Sequence, residues 1–311
     1  MLRSATGYGT LLEAVRGMTW PSRRPVRTGA PGAHRSRLRG VSPEFSEYRP
    51  YRQGDDPRRL DWKLLARTDR AFLRLATDRA TLPTALLLDA TASMVFPDGA
   101  AAKWAQAQRV AMGLAAIALG AGDPVGVTIA GGAGSTVWRT QPRTRAGTLG
   151  RIATALADAE PGGGPSDTLA TEVEQVRWAT RVVVLSDFLD ETVEPPDRPA
   201  ARPPGGAPPD GLVAALRTLA AAGVETHAVH VVAREELAPE RATFVAVDPE
   251  SPGLRRPLVA ESVEEYVRRF AGWRDVLAGV LRDADVAYHL VVSDEPAVGA
   301  VRRLTASRSA R

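Results

Sequence analysis

Ala85-Leu86-Leu87-Leu88-Asp89-Ala90-Thr91-Ala92-Ser93 is the stretch whose reading decides the fold. Its first four residues are apolar without interruption, the pattern of a strand buried on both faces rather than one wetted on alternate residues. Asp89 then falls at or just past the strand's carboxyl end, the edge of an open parallel α/β sheet where ligands bind. Asp89, Thr91 and Ser93 offer oxygens on alternate residues. Such donors suit a hard cation, since Mg²⁺ takes carboxylates, hydroxyls and waters in an octahedron at about 2.0–2.1 Å. The stretch therefore reads as part of a metal-dependent binding module before it reads as an enzyme.

Outward from this segment, predicted strands and helices alternate, the signature of a doubly wound, mostly parallel α/β sheet. A helix from about Ala101 to Leu119 is stopped by Gly120-Ala121-Gly122-Asp123-Pro124. The pattern predicts strands over Val125–Ala130 and Thr136–Thr140, joined by the glycine-rich turn 131–134, and helices near Ala146–Ala159 and Leu169–Ala179. Arg181-Val182-Val183-Val184-Leu185-Ser186-Asp187 is a second buried strand that closes on an acid. Prolines at 195, 196, 199, 203, 204, 208 and 209 make 194–210 a surface insertion. A helix over Leu212–Ala222, strands over Glu225–Val232, Thr243–Val247 and Ala287–Val292, and a helix over Val263–Leu281 complete the pattern. The α/β domain so defined covers 81–294, with 295–311 as a C-terminal tail. Ahead of it, 41–80 reads as a mostly β extension, and 1–40 as a flexible basic segment whose second half is rich in Arg, Pro, Gly and Ser.

At 311 residues and 44% hydrophobic the chain can bury a full core. It has no cysteine, which excludes disulfides, thiolate metal sites and cysteine nucleophiles. No uncharged apolar run approaches the roughly 18–20 residues of a membrane-spanning helix, and Met1–Trp20 lacks a compact apolar segment with a cleavage site. The expectation is a soluble, cytoplasmic protein. Through Ala80 the chain carries 17 Lys+Arg against 8 Asp+Glu, and the remainder 23 against 28. A basic first third of that kind meets nucleic acid, an acidic partner, or the acidic remainder of its own chain. Lys63 and Lys103 are the only lysines.

If the two apolar strands are neighbours, Asp89 and Asp187 share one sheet edge. The intervening loop Gly162-Gly163-Gly164-Pro165-Ser166-Asp167-Thr168 adds a hydroxyl to the same point, from Thr168 or Ser166. This pattern resembles the von Willebrand factor type A fold, whose metal-ion-dependent adhesion site reads Asp-x-Ser-x-Ser, then a distant Thr and a distant Asp. Here the first element is Asp89-x-Thr91-x-Ser93, a Thr standing for the middle Ser. The resemblance implies Asp89, Thr91, Ser93, Thr168 and Asp187 as the metal-binding set, with Mg²⁺ as the divalent cation and Mn²⁺ or Ca²⁺ as alternatives. Upstream, the run from Glu44 to Trp62, with Arg49-Pro50-Tyr51-Arg52-Gln53-Gly54-Asp55-Asp56 and Leu60-Asp61-Trp62, resembles the signature of the bacterial domain-of-unknown-function family 58. That resemblance covers roughly Arg39 to Val292. It implies a non-enzymatic protein-interaction module working with a MoxR-type AAA+ ATPase in protein maturation or assembly. Many members carry membrane helices ahead of the signature, and this chain does not.

Plainer readings stand beside these. Asp55, Asp56 and Asp61 sit in turn chemistry among arginines and read as structural rather than catalytic, with no histidine to shuttle protons. His227 and His230 have odd spacing and would point to opposite faces of a strand. No Walker A motif and no nucleophile elbow occur. A metal-dependent hydrolase using the same ion, and a nucleic-acid module using the basic first third, are the rival classes.

Overall fold

The computed structural model describes residues 6–23, 31–35, 45–53, 55, 57, 60–76, 79–133, 136–163, 167–176, 178–189, 211–239, 244–247, 255–258 and 260–306. Six strands build the central sheet: β1 (Thr84–Asp89), β2 (Val125–Gly132), β3 (Thr136–Arg139), β4 (Arg181–Ser186), β5 (Glu225–Val232) and β6 (Ala287–Val292). Their spatial order is β6-β5-β4-β1-β2-β3, and all neighbours are parallel except the β2–β3 hairpin. The order reverses at β1, which pairs with β2 on one side and β4 on the other. In a doubly wound sheet that reversal is the switch point, and the crevice for a ligand opens outside the carboxyl ends of the two central strands. The sequence expectation of neighbouring strands ending in Asp89 and Asp187 is met.

Helices cover both faces. Leu86 and Leu88 of β1 and Val183 and Leu185 of β4 join one cluster with α1 (Lys103–Gly120), α2 (Thr148–Asp158) and, past β6, α6 (Ala297–Ala306). Ala85, Leu87, Val182 and Val184 join the opposite cluster with α3 (Asp167–Gln175), α4 (Leu212–Ala221) and α5 (Ala260–Asp283). This alternation explains why β1 and β4 are apolar at every position. Each fully buried leucine contributes about 1.5–3 kcal/mol relative to exposure. Among the described residues no helix is long and apolar enough to cross a membrane.

Three expectations are corrected. Within 1–40, read as flexible, Gly9–Ala14 is a helix, and Leu11, Val15 and Trp20 lie in the core. Trp20 covers the Arg181 guanidinium at 3.9 Å from its ring centre, a cation–π contact that seats the segment on the amino end of β4. Within 295–311, read as a tail, Ala300, Val301 and Leu304 of α6 are buried against the same cluster. The strand expected near Thr243–Val247 is real as Phe244–Val247, but it pairs with Arg255–Leu258 in a separate antiparallel ribbon. The 41–80 extension holds the antiparallel pair Phe45–Pro50 and Phe72–Ala76 with a helix, Trp62–Thr68, between them. The insertion 194–210 lies outside the described residues, as do Glu44, Gly54, Asp56 and Ser166.

Candidate functional site at the carboxyl edge of the sheet

Asp89 is the last residue of β1, and a 3₁₀ turn over Ala92–Val95 brings Thr91 and Ser93 back beneath it. All three are buried. Asp89 Oδ1 accepts the Thr91 N–H at 3.0 Å, and Asp89 Oδ2 accepts the Ser186 hydroxyl at 2.5 Å. Thr91 Oγ1 and Ser93 Oγ are 3.1 Å apart. Burial pushes the Asp89 carboxyl up to about 6; the neighbouring Asp187 adds to this, and the Ser186 and Thr91 hydrogen bonds offset only part of it. A carboxyl so displaced in a sheet-end crevice is a marker of a functional site.

Two glycines let the loops close on this turn. Gly163 forms a bridge with Thr91, its carbonyl accepts the Ala92 N–H at 3.1 Å, and its own N–H donates to Gly131 O at 3.0 Å. A Cβ on Gly163 would lie 2.1 Å from Gly132 O and 2.2 Å from Gly131 O, so only glycine fits without moving backbone. Gly131, at φ +81°, is similarly pressed against Thr91. The glycine-rich stretches read as turns are therefore the floor of the site. Thr168 lies half-buried in the first turn of α3, five residues beyond Gly163. Ser166, its competitor, lies outside the described residues.

Asp187 follows β4 and is buried, but its partner is a residue that sequence reasoning missed. The Lys103 ammonium, fully buried, donates to Asp187 Oδ2 at 2.7 Å and to Glu236 Oε1 at 2.6 Å. Burial lowers the affinity of this amine for its proton, and the two carboxylates more than reverse that, so Lys103 stays charged. Ser186, also missed, is the link between Asp89 and β4: its oxygen accepts the Phe188 N–H at 3.0 Å while its hydroxyl serves Asp89.

The structure separates the other candidates. His227 sits over Trp20 and stacks on His289, whereas His230 bonds Tyr288 OH at 2.8 Å on the opposite face, as their spacing predicted. Burial holds His230 down to about 3. In the signature segment Asp61 caps the Trp62 helix by accepting from the Lys63 and Leu64 N–H groups, and takes the Tyr48 hydroxyl at 2.8 Å. Asp55 pairs with Arg49 at 2.7 Å. These carboxylates serve the local fold.

The Thr91 and Ser93 hydroxyls stand at hydrogen-bond distance, 3.1 Å. Adjacent ligands in an octahedron of about 2.0–2.1 Å radius stand roughly 2.9 Å apart, close to the Thr91–Ser93 hydroxyl separation. Among the described residues no group of three or more His, Cys, Asp or Glu side chains forms a ready-made cluster for a metal. Any ion here would rest on hydroxyls, water and few anions.

A family described as "Protein of unknown function DUF58" matches residues 47–270. Uncharacterized proteins of Mycobacterium bovis (strain ATCC BAA-935 / AF2122/97) and of Mycobacterium tuberculosis (strain CDC 1551 / Oshkosh) are each 30% identical to the chain over 194 residues, 61% of this chain and 61% of theirs. The match thus spans about three fifths of the length of these relatives. Among solved structures, the crystal structure of the pilus adhesin SpaC from Lactobacillus rhamnosus GG aligns with a TM-score of 0.35 and 15% identity, over 65% of this chain and 31% of that one.

Proposed function

The chain belongs to the DUF58 family, and on that premise we propose that it is a non-enzymatic interaction module of the von Willebrand type A kind. It captures an acidic group of a partner protein through a divalent cation, Mg²⁺ by preference, at the carboxyl edge of the sheet. Asp89, Thr91 and Ser93 hold the ion, with Thr168 and Asp187 in support. The bound ion supplies a positive centre with few anionic protein ligands, so an outside carboxylate completes its shell. The observation that carries this reading is the buried hydroxyl pair of Thr91 and Ser93, 3.1 Å apart directly after Asp89, at the switch point of the sheet. A MoxR-type AAA+ ATPase is the partner the family resemblance suggests, in protein maturation or assembly.

The test is a calorimetric titration of the protein with Mg²⁺ and Mn²⁺ beside Asp89→Asn, a change that keeps the shape of the side chain. Saturable binding in the parent and none in the variant supports the site. A folded Asp89→Asn protein that binds either ion as tightly as the parent would sink it. Retention of the ATPase on immobilised protein should then require the cation and be lost in EDTA.

A further inference from the structure

Lys103 is the residue of this site least expected from physical chemistry. Taking an ammonium out of water costs free energy, and a positive charge in a helix's first turn opposes the helix dipole. Lys103 does both, fully buried as the first residue of α1. Two carboxylates from separate elements offset the cost, Asp187 after β4 and Glu236 in the short helix Arg234–Leu237 after β5. Glu236 is itself fixed, because its other oxygen accepts the Ala233 N–H at 2.7 Å. The ammonium therefore sits in a rigid cradle. The Lys103 N–H also donates to Phe96 O at 3.1 Å, which ties this residue to the segment just past Ser93.

Resting on the cation-site reading above, we propose that Lys103 is a resident counter-charge that sets the site's affinity for a divalent ion. It compensates Asp187 from within, so an arriving ion gains only Asp89 as an uncompensated carboxylate and meets a fixed ammonium on the Asp187 side. The ion alone is then held weakly, and tightly only when a partner's carboxylate joins it. With Lys103 removed, Asp187 becomes a second uncompensated acid beside Asp89, and the same crevice binds the ion tightly without a partner. Tight cation capture is thereby coupled to partner capture by this single lysine.

The experiment is a titration with Mn²⁺ alone, without partner, followed by calorimetry and by the electron paramagnetic resonance of the free ion. It compares the parent, Lys103→Met, and the double variant Lys103→Met/Glu236→Leu. The double variant removes the Lys103–Glu236 pair together, leaving Asp187 as the one carboxylate without its cation, and keeps the test open if the single variant does not fold. Both folded variants should bind Mn²⁺ at least about tenfold tighter than the parent, from removal of a like charge at close range. Their binding should be lost on adding Asp89→Asn. If the parent binds Mn²⁺ through Asp89 but no folded Lys103 variant binds it more tightly, Lys103 is a structural ion pair and the inference falls while the site stands. If neither the parent nor the variants bind, the site reading falls with it.

Discussion

Glu225 and Asp89, buried carboxylates at the two ends of the sheet, are treated in opposite ways. At the amino end Glu225 accepts from Arg181 Nε at 2.8 Å, from the Ser22 hydroxyl at 3.0 Å and from the Arg23 N–H at 2.8 Å, with His227 Nε2 at 3.0 Å. Burial alone would push this carboxyl up, but the guanidinium and these donors hold it well below the usual carboxylate range. At the carboxyl end Asp89 has neutral donors, the Thr91 N–H with its side chain and the Ser186 hydroxyl, and its nearest charge is that of Asp187. The chain brings its own N-terminal segment to Glu225 at one end and leaves Asp89 at the other with hydrogen bonds but no cation of its own. A carboxylate paired with a guanidinium closes a structure; one with neutral donors alone still lacks a counter-charge.

This contrast fixes the order and the signs of what mutation should do. The largest effect on stability belongs to the amino end. Arg181→Met leaves Glu225 buried without its cation and removes the guanidinium from beneath Trp20. The expected cost is about 3–5 kcal/mol in urea unfolding at pH 7, the range for breaking a buried pair from one side. Glu225 is depressed, so its contribution is present above pH ~4.5 and is lost as pH falls through its native value. The buried imidazoles act in the same direction, because burial also lowers His227 and His289, the latter to about 3. A variant as stable as the parent would mean that the N-terminal segment is not held by this pair.

Asp89 has the opposite slope. Its carboxyl is raised to about 6, so the unfolded chain releases the proton first. The stability it contributes is therefore full below pH ~4 and is lost as pH rises through about 6. Asp89→Asn is neutral at every pH, keeps the acceptor for the Thr91 N–H and reverses the bond to Ser186, whose oxygen would accept from the amide. It should be more stable than the parent at pH 7 by on the order of 2 kcal/mol, with the gain vanishing near pH 4. A gain in stability paired with loss of cation binding is the expected trade at a site built for function. A loss of stability at pH 7 would place Asp89 with Glu225, as a structural carboxylate, and erase the difference between the two ends.

How much of this was legible in the sequence follows the same division. β1 and β4 announced themselves because unbroken apolar runs have few other readings, and their terminal acids marked the edge on which Asp89, Thr91 and Ser93 meet. The N-terminal seat was hidden by the Arg, Pro and Gly composition after Trp20, although Leu11 and Val15 at helical spacing were a signal. Lys103 was hidden because a lysine at a helix start reads as solvated, and only the tertiary fold brings Asp187 and Glu236 to it from 84 and 133 residues away. Its rarity was the available clue: in a chain that uses arginine almost throughout, a lysine at a buried position asks for a compact point charge rather than a planar fork. Gly163 could be read as a turn, but not as the residue whose missing side chain lets three loops meet.

The smallest effect on stability sharpens the comparison most, because it separates folding from binding within one side chain. Thr91→Val keeps the volume and the β-branch and deletes only the hydroxyl 3.1 Å from Ser93 Oγ. The hydroxyl's bonds to Ser93 and Asp89 are lost, worth about 1 kcal/mol each, and the Thr91 N–H still reaches Asp89. Cation binding should suffer far more, since an octahedral ion loses a direct or water-bridged ligand and gains a methyl group in its place. Denaturation and Mn²⁺ titration on the same preparation measure both. If the variant folds nearly as well as the parent but no longer binds, the carboxyl end is a binding site imposed on a fold that does not need it. If stability falls by several kcal/mol and binding persists, the hydroxyl pair belongs to the core, and the carboxyl end is as self-contained as the amino end.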